Sequence, residues 1–152
     1  MIKLFLILFL LFFDFLSKKL VFTYLDLNNF LPLTSFLDLT HIHNFGISFG
    51  LFAGDLPSWF LSLIGILITC FIIYIMVKSE NIIEKWALIM VIAGGISNIF
   101  DRMINGYVID FVYLHYKNMY WPAFNFADIY ISIGIVIFLY QVLKDMHKRM
   151  FN

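Results

Sequence analysis

The chain has 152 residues, 62% of them hydrophobic and only 13% charged, and its ten basic residues balance its ten acidic ones. A soluble domain carries roughly 25% charged residues, and a fold this small has too little interior for so much apolar surface, so the solvent must be lipid. Zero net charge and the lack of a basic patch exclude nucleic acid as a partner, and the single cysteine, Cys70, excludes an internal disulfide, a redox pair and a cysteine-based zinc site.

The chain reads as one domain, an all-α membrane protein with a small β element. The first predicted span covers residues 3–22. Its charged start and apolar run resemble a signal peptide, but Asp14 interrupts the run, Lys18 and Lys19 follow and no small-x-small cleavage site appears, so it reads as a retained helix. An outer segment, 23–55, follows without a single Lys or Arg. Within it, 37–50 mixes β-branched and aromatic residues with glycines, which predicts short strands or bulged turns. The second span, 56–77, contains no charge. Its length of about 33 Å exceeds a hydrocarbon core of about 30 Å. The third covers 86–104 and ends with Asp101 and Arg102. A second outer segment, 105–125, is β-prone around Asp110 and carries only Lys117. The fourth span, 126–143, stops at Lys144. Cytoplasmic placement of Lys3, Lys78, Lys85, Lys144, Lys148 and Arg149 puts both termini inside. Tyr24, Tyr113, Tyr116, Tyr120 and Trp121 suit an interfacial belt.

An ionisable side chain in the bilayer costs about 2.5–3.5 kcal/mol on insertion scales, so each one needs a reason. Counted along the helical rise, Lys18 lies about 22 Å from Lys3, Asp101 about 24 Å from Lys85, and Asp128 about 24 Å from Lys144. Three helices thus place charge at one level, in the outer part of the membrane. Asn98, Asp101 and Arg102 share a helix face, with Gly94 and Gly95 one turn earlier to admit a close neighbour. Simpler roles exist for single residues. Asp14 and Lys18 fit an intrahelical ion pair, and Asn125 followed by Asp128 fits an N-cap with an acidic N3 residue. His41 and His43 point the same way on a strand, where a metal would lack a third ligand. Asp110 sits between Ile109 and Phe111 with no local basic partner.

Two buried carboxylates that approach each other share a proton and titrate as a unit. Such a pair hydrolyses a peptide without a covalent intermediate: the ionised member activates water and the protonated one polarises the carbonyl. The chain offers no nucleophile elbow, HExxH or phosphate-binding glycine loop.

Five ordered motifs resemble those of the bacterial lipoprotein signal peptidases, the type II signal peptidases. They are Asp14-Phe-Leu-Ser17-Lys18, Asn44-Phe-Gly46-Ile-Ser-Phe49-Gly50, Gly94-Gly95-Ile-Ser-Asn98-Ile-Phe-Asp101-Arg102, Gly106-Tyr-Val108-Ile-Asp110-Phe111 and Trp121-Pro122-Ala-Phe124-Asn125-Phe-Ala127-Asp128. Ser48 stands where alanine is common. The resemblance implies four transmembrane helices, an extracytoplasmic β-cradle and a short periplasmic helix. It implies a monomeric aspartic endopeptidase of the bacterial inner membrane, without metal or other cofactor. Such an enzyme cleaves prolipoproteins on the N-terminal side of a diacylglyceryl-modified cysteine, among membrane lipid. By position, Asp110 and Asp128 are the catalytic pair. Asn44, Gly46, Asn98, Asp101, Arg102, Asn125, Asp14 and Lys18 are substrate contacts or supports. An ion-coupled transporter would instead spread polar groups around a midplane site in related repeats, and a packing subunit would tolerate Asp→Asn changes at both positions.

Overall fold

The computed structural model describes residues 1–47, 52 and 54–151. Four long helices, α1 (Ile2–Tyr24), α2 (Ser58–Lys78), α3 (Ile82–Asn105) and α4 (Phe126–Phe151), carry an antiparallel sheet of β1 (Phe30–Pro32), β2 (Leu37–Asn44), β3 (Val108–Tyr116) and β4 (Met119–Tyr120), in that spatial order. α2, α3 and α4 are long and apolar enough to cross a membrane. At 23 residues α1 has the length but also carries Lys3, Asp14, Lys18 and Lys19. Asp14 and Lys18 are buried, while Phe5, Phe9, Phe12 and Phe13 are exposed, so the outward face of α1 is apolar.

α3 is the central helix. It packs against the other three and buries Leu88, Ile89, Val91 and Ile92 among its own residues. Backbone proximity to α4 depends on two glycines. A Cβ at Gly94 would collide with the Ala127 carbonyl oxygen, and one at Gly134 with the Ala87 carbonyl and Val91. The close approach predicted beside Gly94 therefore occurs against α4, while Gly95 faces Thr69 of α2.

Helix ends are set by local chemistry. Asn81 caps α3 by accepting the Ile83 N–H at 2.9 Å. α3 stops where Gly106 takes φ 81°, in the left-handed region, which glycine adopts without a Cβ penalty. Ser58, the first residue of α2, donates its hydroxyl to the Gly106 carbonyl. α4 continues beyond the predicted end at 143 to Phe151, because Lys144 and its polar successors leave lipid without losing helix-forming character.

The predicted strand in 37–50 forms as β2, and its bulge lies between Leu39 and Ile42, where β2 advances three residues while β3 advances two, from Val112 to Asp110. Beyond the bulge, Ile42 and Asn44 share a sheet face with Asp110, and His41 and His43 take the other. The short helix implied outside the membrane does not occur among the described residues. Phe52 (φ 62°) and Gly54 (φ 86°) are left-handed there, which stops a right-handed turn from propagating. Phe49 and Gly50 of the glycine motif lie outside the described residues.

Candidate active site

β3 brings Asp110 to the start of α4. Val112 and Phe124 exchange backbone hydrogen bonds of 2.8 and 3.0 Å, and the Phe111 N–H also reaches the Phe124 carbonyl at 3.0 Å. The next residue, Asn125, is fully buried and donates its amide to Asp110 Oδ1 at 2.7 Å. Asn44 of β2 donates to the other oxygen, Oδ2, at 2.9 Å. The Asn44 side-chain oxygen, Oδ1, in turn accepts the Gly46 N–H at 2.9 Å, which fixes the orientation of the amide.

Asn125 is also the N-cap of α4. Its Oδ1 accepts the Asp128 N–H at 3.0 Å, and Asp128 Oδ2 accepts the Asn125 N–H at 3.1 Å. This reciprocal capping box satisfies two orphan donors. The simple role predicted for these residues is therefore real, and it aims one Asp128 oxygen. The other, Oδ1, accepts the Asn98 amide of α3 at 2.9 Å.

Behind Asp128 lies a buried ionic cluster. Lys18 Nζ contacts Asp14 Oδ2 at 2.6 Å, Asp101 Oδ2 at 2.8 Å and Asn98 Oδ1 at 3.0 Å. Asn98 thus links the ammonium to Asp128. Asp14 also accepts the Ser97 hydroxyl at 2.6 Å and the Ala127 N–H at 2.8 Å. The latter is an orphan donor in the first turn of α4, capped from another helix. Arg102 donates to the Gly46 carbonyl at 2.6 Å, while its buried Nε has no hydrogen-bond partner among the described residues.

Asp14, Lys18, Asn44, Gly46, Asn98, Asp101, Arg102, Asp110, Asn125 and Asp128 thus fall in one connected network, and the common level counted for Lys18, Asp101 and Asp128 agrees with their links through Lys18 and Asn98. Ser97 and the Ala127 backbone were not legible as members, since neither a serine nor a peptide N–H carries a signal of its own. Two cavities meet at Asn44, Asp110, Asp128 and Ile131. One, of about 300 Å³, is walled by Trp121, Phe124 and Ile133; the other, of about 290 Å³, runs between α2 and α4 past Gly95 and Arg102. Burial, and then the negative charge of Asp128, push the Asp110 carboxyl from its ordinary 3.8 up to about 7, against the opposing amide donors Asn44 and Asn125. His41 and His43 lie outside this network, on the opposite sheet face. Burial, then the neighbouring His41, lower the His43 pKa from its ordinary value.

The family model for signal peptidase (SPase) II matches residues 6–144 of this chain. The chain belongs to the signal peptidase II family. It is 43% identical over 132 residues to the lipoprotein signal peptidase of Thermodesulfovibrio yellowstonii, covering 86% of this chain and 87% of that one. It is 36% identical over 141 residues to that of Francisella tularensis subsp. novicida, covering 89% and 87%. Two solved structures described as bacterial membrane enzymes have the same fold. One has a TM-score of 0.89 at 25% identity, covering 99% of this chain and 92% of the other. The second has a TM-score of 0.83 at 27% identity, covering 94% and 93%. Membership makes the chain a membrane peptidase, as the five motifs led one to expect.

Proposed function

We propose that this signal peptidase II family member removes the signal peptide from diacylglyceryl-modified prolipoproteins, using Asp110 and Asp128 to activate water. The observation that carries this reading is the meeting of the two carboxylates at the junction of two apolar cavities. Each is oriented by its own asparagines, and Asn125 touches both.

The charges support one proton on the pair. Among the described residues two buried cations, Lys18 and Arg102, face four carboxylates, Asp14, Asp101, Asp110 and Asp128, so a doubly ionised dyad would carry excess negative charge. The pair shares that proton, and the reactive arrangement has it on Asp110, whose pKa burial and the charge of Asp128 raise to about 7, with Asp128 ionised. In the forward step, Asp128 takes a proton from water as the oxygen attacks the scissile carbonyl, and Asp110 donates to the carbonyl oxygen. A tetrahedral gem-diol results. Its collapse returns the proton to Asp110, and Asp128 passes the other to the leaving amine. The buried Arg102 Nε offers a further donor to substrate carbonyls. Nothing in this cycle needs a metal ion or a partner subunit, since one chain supplies every group.

The fine topology belongs to the same proposal. α1 joins the other three helices as a fourth span, with both termini cytoplasmic and the sheet on the extracytoplasmic side of the bacterial inner membrane. The basic-residue asymmetry supports this orientation, as do the exposed Tyr24, Tyr116, Tyr120 and Trp121 beside the sheet. Site depth fits a substrate whose acyl chains stay in lipid.

The test is cleavage by the purified chain in detergent. A diacylglyceryl-modified precursor should give a product beginning at the lipid-bearing cysteine, and the unmodified precursor should remain intact. Chelator should leave turnover unchanged. Equal cleavage of both precursors, or cleavage at another bond, would defeat the proposal.

A further inference from the structure

The His41–His43 pair takes no part in the dyad network, yet it is tightly organised. The two residues stand two apart on β2, so their side chains leave the same face. Their Nε2 atoms are 3.1 Å apart, with ring centroids 4.9 Å apart. His41 Nδ1 lies 2.8 Å from the Leu25 carbonyl oxygen. A carbonyl only accepts, so Nδ1 carries the proton and Nε2 of the neutral ring presents its lone pair. That lone pair points toward the second imidazole. The His43 ring stacks on Tyr107 at 3.6 Å with planes 15° apart, and the Phe22 edge meets His41 at 5.6 Å. Both rings are thus held in place before any ligand arrives. His41 is 4% exposed, and the half-buried His43 leaves a path to solvent.

We propose that His41 and His43 form a two-imidazole site for a borderline divalent transition-metal ion, Cu²⁺, Ni²⁺ or Zn²⁺, with water completing the coordination. Metal–nitrogen bonds of about 2.0–2.1 Å set two imidazole nitrogens on one ion about 3.0–3.4 Å apart, and the pair already has that spacing. The backbone carbonyl on His41 Nδ1 is the usual outer partner that fixes a metal-binding histidine's tautomer. Without metal, one N–H bridges the two Nε2 atoms. On binding, that proton moves to His43 Nδ1, so the pair loses no proton and the ion takes two neutral nitrogen donors. Imidazole donors favour late first-row ions over Mg²⁺, in the order Cu²⁺ above Ni²⁺ and Zn²⁺. The site lies on the sheet face away from Asp110 and is not used in hydrolysis. It ends one residue before Asn44, so occupancy stiffens the strand that holds Asn44.

Four histidines and one cysteine in the chain make rival sites few. Those are His115, paired with Asp38 at 3.1 Å, His147 and Cys70. The experiment is titration of the full chain, purified in detergent without a histidine tag and freed of metal, with Cu²⁺, Zn²⁺ or Mg²⁺ alone. Cu²⁺ and Zn²⁺ should saturate at one equivalent, Cu²⁺ more tightly, with no binding of Mg²⁺. His43→Gln and His41→Gln should each weaken binding at least tenfold, and His115→Gln, His147→Gln and Cys70→Ala should leave it unchanged. The thermal midpoint should rise with Zn²⁺ in the parent chain and not in His43→Gln. Asp110→Asn should bind the ion as the parent does, which separates this site from the peptidase reading. His43→Gln decides the outcome if His41→Gln fails to fold. Absence of saturable binding, or binding that survives His43→Gln or follows any of the three rivals, would overturn the site.

Discussion

At the scale of single residues, the site is a set of carboxylates each aimed by an amide. Asn98 connects the Lys18 ammonium to Asp128 Oδ1, so Asn98→Ala removes a hydrogen bond to a charged group. Such bonds are worth about 1.5–3 kcal/mol, which predicts a loss in kcat of about 10- to 100-fold with KM little changed, measurable by initial rates on a lipid-modified precursor. The Asp110 proton sets the pH response. Its pKa is raised from 3.8 to about 7 by burial and the charge of Asp128, so the folded enzyme keeps a proton there that the unfolded chain has lost. The stability this confers is complete below the ordinary value and is lost as pH rises through about 7. Activity follows the same group: kcat/KM of the free enzyme should fall as pH rises through that region, and a flat profile across it would remove Asp110 from the proton-holding role.

At the scale of elements, α1 meets α3 through ions and α4 through the Asp14 carboxylate on the Ala127 N–H, while α3 and α4 meet through glycine. Asp14 and Lys18 are 0% and 2% exposed. Lys18→Met leaves Asp14 and Asp101 buried around a missing cation, and removing one partner of a buried pair costs about 3–5 kcal/mol. A large drop in the thermal midpoint in detergent is the expected result. Gly94→Leu should force α3 from α4, at about 1–3 kcal/mol for overpacking, and carry Asn98 away from Asp128, so activity should fall further than stability alone explains. Much of this architecture was legible. Helical spacing placed Asn98, Asp101 and Arg102 on one face, and the β-prone composition of 37–50 and around Asp110 marked strands that form. What the sequence hid was contact across elements. The bulge in β2 decides that Asn44 faces Asp110, and it depends on pairing with β3, which no local pattern reveals. Likewise the Asp14 cap on α4 is a backbone contact 113 residues away. Asn125 and Asp128 show why single-residue readings compete: a capping box and a catalytic carboxylate use the same atoms.

At the scale of the whole molecule, a lipid-exposed bundle carries a sheet at one end and keeps its buried charge next to that sheet. The charge-free stretch of α2 before Lys78 and the ionic cluster at one depth were readable from composition and helical rise, because bilayer thickness fixes the arithmetic. Whether α1 spans was less legible by composition, because Asp14 and Lys18 pair with each other inside α1 and their further partners, Asp101 and Ser97, stand on α3. If the topology is as proposed, a cysteine at Lys117 in a Cys70→Ala background should react with an impermeant thiol reagent added outside intact cells. One at Lys148 should react only after lysis. The central claim is the dyad, and it is tested most directly by single-turnover cleavage of a diacylglyceryl-modified prolipoprotein by purified parent, Asp110→Asn and Asp128→Asn proteins in detergent. Each variant should fold, with a thermal midpoint near or above the parent's, and lose turnover by about 10³-fold or more. Parent-like turnover in either one would contradict the assignment of both carboxylates to the reaction.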